Sequence, residues 1–147
     1  MDYSLRRRTV LGALSGTLTV ALAGCLGDDG DIEEETYGNW FAGANNFDGT
    51  IDRTGEETVT VAVGSGEGLA YDPAAVRVTT GTTVVWEWTG LGGSHNVREE
   101  AGEFESEYHI SEGETFEHTF DESGVYRYVC DPHRTQGMVG AVEVVED

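Results

Sequence analysis

Apolar and polar residues alternate through much of the chain from Thr58 onward. Val59, Val61 and Val63 fall on one side of the run Thr58 to Val63, and Val84, Trp86 and Trp88 on one side of Thr82 to Trp88. A period of two places every second side chain on the same face, which is the mark of a strand with one buried side. Phe116, His118 and Phe120 repeat the pattern, and after Gly124 either Val125 or Tyr126 carries it with alternate neighbours. Val139 to Val145, with Gly140 inside, reads as a last strand. Gly64 to Gly68 predicts a loop and Asp72-Pro73 a turn. No segment has the 3.6-residue period of an amphipathic helix, and no internal repeat is visible. Short strands joined by glycine-rich connections predict an all-β sandwich or barrel.

The N-terminal pattern is of another kind. Arg6, Arg7 and Arg8 precede an uncharged run from Thr9 to Gly27 that contains Leu22-Ala23-Gly24-Cys25. A positive start, a short apolar stretch and small residues before a break describe a secretory signal. Arg7 and Arg8, followed by Thr9-Val10-Leu11, resemble a twin-arginine export signal. Leu-Ala-Gly-Cys resembles a lipobox, which implies cleavage before Cys25 and a lipid on its sulfur. An uncleaved membrane anchor is the alternative, since the run approaches the ~20 residues needed to span a bilayer. Its Gly, Ser and Thr residues dilute its hydrophobicity. Either way the remainder is expected outside the cell, tethered to the outer face of the membrane. The expected organisation is a signal over 1–24, an acidic tether over 25–36 and one domain over 37–147. Trp40, Phe41 and Phe47 in the first part of that domain predict a segment packed against it.

Charge narrows the function classes. The 147 residues hold 28 Asp plus Glu against 8 Arg and no Lys, for a net charge of −20. Without residues 1–24 the balance is 27 acids against five arginines. Such a field repels phosphate backbones, so nucleic acid is excluded as a partner. With 38% hydrophobic and 10% aromatic residues the chain supports a packed core, which excludes disorder. The absence of Lys suggests a surface suited to concentrated salt, where the Debye length falls to ~3 Å at 1 M. The two cysteines, Cys25 and Cys130, are too far apart in sequence and function to suggest a disulfide scaffold.

Chemistry concentrates in Cys130-Asp131-Pro132-His133-Arg134-Thr135-Gln136-Gly137-Met138, a loop between two strands. Thiolate and thioether favour Cu(I), and imidazole serves both oxidation states of copper. A trigonal site of two His and one Cys with a long axial Met lacks one His here, and Ser94-His95-Asn96-Val97 supplies it. The candidate ligands are therefore His95, Cys130, His133 and Met138. Pro132 has no backbone N–H to offer the sulfur. Taken singly, Cys130 is a buried structural thiol and Met138 a core filler. An unpaired thiol in an exported protein is an oxidation liability unless metal holds it. His109 is expected at the surface, His118 packed beside Phe116 and Phe120, and Trp86 and Trp88 in the core. The Glu99 to Glu107 acid run reads as a solvated loop.

These residues carry a resemblance. Cys130-x-Pro132-His133-x-x-x-x-Met138, with His95-Asn96 upstream, resembles the plastocyanin and pseudoazurin branch of the cupredoxins. Within it, Trp86-Glu87-Trp88-Thr89-Gly90, Gly93-Ser94-His95-Asn96-Val97 and Phe116-Glu117-His118-Thr119-Phe120 are similar to halocyanin-like domains, the membrane-associated blue copper proteins of salt-loving archaea. The resemblance covers about Tyr37 to Val145. It implies a Greek-key β-sandwich with one copper ion held in loops at one end. It also implies a monomeric, non-enzymatic shuttle moving single electrons between membrane donors and acceptors of a respiratory chain. Asn96 would tie the two ligand loops together, and the exposed edge of His133 would pass the electron. Two other functions use the same residues. An extracellular copper chaperone or scavenger would exchange its metal readily, and a Cys-His nucleophilic enzyme would need an oxyanion hole and cleft that nothing in the sequence suggests.

Overall fold

The computed structural model describes residues 36–147. The expectations for Arg7, Arg8, Cys25 and nearly all of the tether lie outside the described residues. Among the described residues nine strands form two sheets. They are β1 (Ile51–Asp52), β2 (Thr58–Ser65), β3 (Ala70–Asp72), β4 (Ala75–Thr79), β5 (Thr82–Trp88), β6 (Arg98–Glu99), β7 (Thr115–Phe120), β8 (Gly124–Val129) and β9 (Val139–Val145). One sheet has the order β1-β4-β9-β8-β6 and the other β3-β2-β5-β7. Strands β2 and β5 run parallel, as do β4 and β9, while β8 and β9 form an antiparallel pair.

The alternating valines and tryptophans meet where the sequence pattern aims them. Val59, Val61, Val63, Val84, Trp86 and Trp88 from one sheet pack against Val76, Val78, Tyr128, Val142 and Val144 from the other. After Gly124 it is Tyr126 and Tyr128 that turn inward, whereas Val125 is exposed. His118 packs on Phe120 as expected, but its second ring partner is Phe104 and not Phe116, with centroids 4.8 Å away in each case. Strand β4 carries a short inward alternation, Val76 and Val78, that the sequence reading passed over between Pro73 and Gly81.

Strands β4 and β9 are covered on both sides. Their outward residues Ala75 and Ala141 lie under Tyr37, Trp40, Phe41 and Phe47. The Phe41 and Phe47 rings stack at 4.0 Å, and the Trp40 indole N–H donates to the Gly140 carbonyl at 2.9 Å. The aromatic segment before β1 is thus part of the domain, as its composition predicts.

Two expectations need correction. Within the acid run, Phe104 and Glu99 are buried. One Glu99 carboxylate oxygen accepts from the backbone N–H groups of Ala101 and Glu103 at 2.8 and 2.9 Å, so this acid closes a turn instead of facing solvent. His109 is half-buried, not a plain surface residue, because its ring stands edge-on to Trp88 at 5.0 Å and its backbone pairs with His95.

Glu99 is the only buried acid among the described residues. Arg77 pairs with Glu143 at 2.9 Å, Arg98 with Asp131 at 2.7 Å and Arg127 with Glu100 at 3.4 Å, which leaves most acids facing water without a cation. Self-repulsion of that kind destabilises a compact state until salt screens it. The melting temperature is expected to climb as KCl is raised from tenths molar to several molar. A melting temperature indifferent to salt would show the acidic surface to be a matter of solubility alone.

Candidate metal centre

The site lies where β8 hands over to β9 and where β5 hands over to β6. Cys130 follows β8 directly and is fully buried, in the same core cluster as Met138. A 3-10 helix, Asp131–Gln136, begins immediately after it with Pro132 in its first turn, where a missing N–H costs nothing. Gly137 ends that helix at φ 93°, a left-handed conformation that favours glycine, and turns the chain back into β9. The backbone closes the loop on itself. Cys130 N–H donates to the Met138 carbonyl at 3.1 Å, and Met138 N–H to the His133 carbonyl at 3.3 Å. The backbone of Met138 is thereby tied to both Cys130 and His133, and its side chain is fully buried.

His95 comes from the other loop and is fully buried. Its Nε2 lies 2.6 Å from the Leu91 carbonyl. A carbonyl only accepts, so Nε2 carries the proton and Nδ1 presents its lone pair to the site. The peptide of His95 is held as well, by two bonds to His109 and by the Trp88 indole N–H at 3.1 Å from its carbonyl. Gly64 makes room for this ring. A Cβ there would sit 2.8 Å from the Leu91 carbonyl oxygen and 3.2 Å from His95 Nε2.

The three donors converge. Cys130 Sγ is 3.5 Å from His95 Nδ1 and 3.4 Å from His133 Nδ1, and all three atoms lie within 4.8 Å of one another. Bonds of about 2.0 Å to nitrogen and 2.3 Å to sulfur at trigonal angles put neighbouring donors ~3.7 Å apart. The two sulfur–nitrogen distances therefore fit a small first-row ion. Of the two imidazoles only that of His133 reaches the surface, being half-buried where His95 is enclosed.

Asn96 joins the two loops through hydrogen bonds to Asp131. Its side-chain N–H donates to Asp131 Oδ2 at 2.9 Å, and the Asp131 backbone N–H donates to Asn96 Oδ1 at 2.8 Å. Arg98 then grips the same carboxylate through Nε and Nη2 at 2.7 to 2.9 Å. Asp131, Arg98 and Leu91 are structural members of the site that sequence reasoning missed. The acid and base stand 33 positions apart, and only the fold makes them neighbours. The Tyr71 hydroxyl adds a bond to the Asn96 carbonyl at 2.6 Å.

Electrostatics follow from this packing. Burial pushes the Cys130 thiol up, and the nearby Asp131 charge adds to it, while the backbone N–H groups of Asn96 and His133 favour the thiolate. Burial also holds the His95 imidazole low, against the opposing bond to Leu91. The Arg98 fork holds Asp131 below the usual carboxylate range. A metal entering the site meets one neutral imidazole and a thiol that must give up its proton.

Comparison with known proteins agrees with this geometry. Residues 57–145 match the family described as copper binding proteins, plastocyanin/azurin family. The chain is 48% identical to a halocyanin from Natronomonas pharaonis over 95% of this chain and 96% of that protein. Among solved structures, a point mutant of amicyanin in the Cu(I) state superposes with a TM-score of 0.51 at 27% identity, over 60% of this chain and 82% of that one. A copper-containing nitrite reductase from Thermus scotoductus superposes equally well at 25% identity over 61% of this chain, which spans only 23% of that longer one. Copper is accordingly the cofactor, and the chain belongs to the plastocyanin/azurin family of copper-binding proteins, the blue copper cupredoxins.

Proposed function

We propose that this cupredoxin is a one-electron carrier in which His95, Cys130, His133 and Met138 hold a single copper ion. The observation that carries the reading is the convergence of two imidazole Nδ1 atoms on one buried cysteine sulfur, with the His95 ring and peptide already held by their own partners. Bound copper supplies the Cu(II)/Cu(I) couple, for which thiolate, thioether and imidazole together are suitable donors. The Cys130 thiolate, His95 and His133 would hold the ion most closely, and the Met138 thioether would serve as a weaker fourth donor that tunes the couple. The Asn96–Asp131–Arg98 network fixes the two loops against each other, so the donors move little between oxidation states. Pro132 has no N–H to donate toward the sulfur, and the absence of that hydrogen bond affects the potential. With four protein donors no position remains for a substrate, which supports a carrier over an enzyme. Electrons enter and leave through the surface edge of His133.

The same proposal extends to location. Cleavage before Cys25 and lipid attachment to its sulfur would hold the monomer at the outer face of the cytoplasmic membrane, following export through the Arg7-Arg8 signal. There it would move electrons between membrane donors and acceptors of a respiratory chain. The order of arginines, uncharged run and Leu-Ala-Gly-Cys supports this, as does an alignment with halocyanin that reaches into the first 24 residues.

The copper-loaded protein is expected to be intensely blue or green, and Cys130→Ser should abolish the colour while circular dichroism keeps its β signature. An intense visible band in Cys130→Ser protein would overturn the ligand set. Met138→Leu should keep copper and colour but raise the reduction potential, as voltammetry would show; an unmoved spectrum and potential would make Met138 a packing residue. Cys25→Ser should release the protein from membranes or block its maturation with copper binding intact. Mass spectrometry of the native N-terminus decides that point, since a free Cys25 thiol or an unprocessed Met1 excludes the lipid anchor.

A further inference from the structure

We infer that Asn45 is a positioning residue for the metal centre, a clamp by which the segment preceding β1 holds the Gln136–Gly137 turn and so presents Met138. The potential and spectral parts of this inference rest on the ligand set proposed above; the part concerning the loop itself does not.

Asn45 spends every donor it has on carbonyls of two other segments. Its backbone N–H donates to the Gly137 carbonyl at 3.0 Å. Its side-chain amide donates to the Gln136 carbonyl at 2.8 Å and to the Leu69 carbonyl at 2.7 Å. An amide group has two N–H bonds, and both are used across sequence separations of 91 and 24 residues. The carbonyls at the end of a 3-10 helix lack partners within it, and here Asn45 reaches that of Gln136 and shares that of Gly137 with the Val139 N–H. They belong to the two residues immediately before Met138. The approach is close as well as polar. A Cβ on Gly137 would lie 2.6 Å from the Gly43 carbonyl oxygen and 2.9 Å from Asn45 Oδ1, so the two segments touch backbone to backbone.

The neighbouring residue reaches the other ligand loop. Asn46 donates to the Tyr71 carbonyl at 2.9 Å, and the Tyr71 hydroxyl donates to the carbonyl of Asn96, the residue after His95. The segment itself is anchored independently, by Tyr37, Phe41 and Phe47 over Ala75 and Ala141. A clamp needs a fixed base, and this aromatic cluster supplies one. Asn45 lies outside residues 57–145, the part that matches the family, so this support for the turn is added to the common domain from outside it.

The test compares Asn45→Leu, similar in shape but without side-chain donors, and Asn45→Asp with the parent. Phe47→Ala serves as a control that loosens the base without removing the donors. Two measurements are made: amide hydrogen exchange at Gly137 and Met138 in copper-free protein, and the spectrum and reduction potential of copper-loaded protein. Both Asn45 variants are expected to speed exchange at Gly137 and Met138 by about tenfold, since one lost bond of ~1.4 kcal/mol is a factor of ten. With copper retained, they are also expected to shift the charge-transfer band and the potential. Because it loosens the base on which the clamp stands, Phe47→Ala should lower the melting temperature and move exchange and band in the same direction as the Asn45 variants. Exchange at Gly137 and Met138 equal to the parent overturns the clamp. So does faster exchange with spectrum and potential unchanged, provided Met138→Leu does shift them. If Met138→Leu is silent too, faster exchange still upholds the clamp on the turn and it is the axial-ligand reading that fails. Should Asn45→Leu not fold, the same measurements on Asn45→Asp decide the matter.

Discussion

The metal end of this domain depends on one exchange of hydrogen bonds, that between the Asn96 side chain and Asp131. His95 sits beside the first and Cys130 beside the second, in loops separated by 35 positions. Neither loop is held by a sheet at that point. Removing the exchange would leave the two loops joined at this end only through the Arg98–Asp131 pair and the β6–β8 pairing behind it. Arg98 strengthens the arrangement by locking the Asp131 carboxylate, and an aspartate kept charged is the better acceptor for Asn96. Partners of this kind around metal ligands typically matter about 10- to 100-fold in affinity when removed.

The core explains why the donors meet at one place at all. Cys130 and Met138 are continuous with the cluster that fills the space between the sheets. The strands that bring them there, β8 and β9, are paired residue by residue from Gly124 opposite Val144 to Val129 opposite Val139. That register ends one residue before Cys130, so the ligand loop begins where the ladder ends. A shift of one residue in the ladder would turn Tyr128 and Val142 out of the core and carry the sulfur away from both imidazoles.

Much of this was legible beforehand, and the parts that were not have a common physical cause. Period-two runs such as Thr82 to Trp88 announce themselves because burial on one face is a local property of sequence. The donors announce themselves because Cys, His and Met are uncommon residues set in a short loop. Strand β4 was missed since Val76 and Val78 make only two repeats of the pattern. Glu99 was misread because an acid that caps a turn and an acid in water look alike until the turn is seen. Asp131 and Arg98 were invisible as a pair for the same reason: ionic partners are chosen by the fold, and the sequence offers many equivalent acids to choose from. His109 was misjudged because the ring that covers it, Trp88, arrives from a strand far upstream.

The placement of the donors along the chain bears on how metal and folding are linked. Cys130, His133 and Met138 lie within one β8–β9 connection, whereas His95 joins them only when the sandwich has closed. An unfolded chain therefore keeps three neighbouring donors able to seize a soft ion. A ligand that binds the unfolded chain as well as the folded one stabilises the fold only by the difference. What copper adds to the stability of this domain is then set by the docking of a single imidazole, not by the full strength of the site. A metal captured early would also pin the connection before β9 finds β4, shortening the search for the parallel pairing that is the slower part of such a topology.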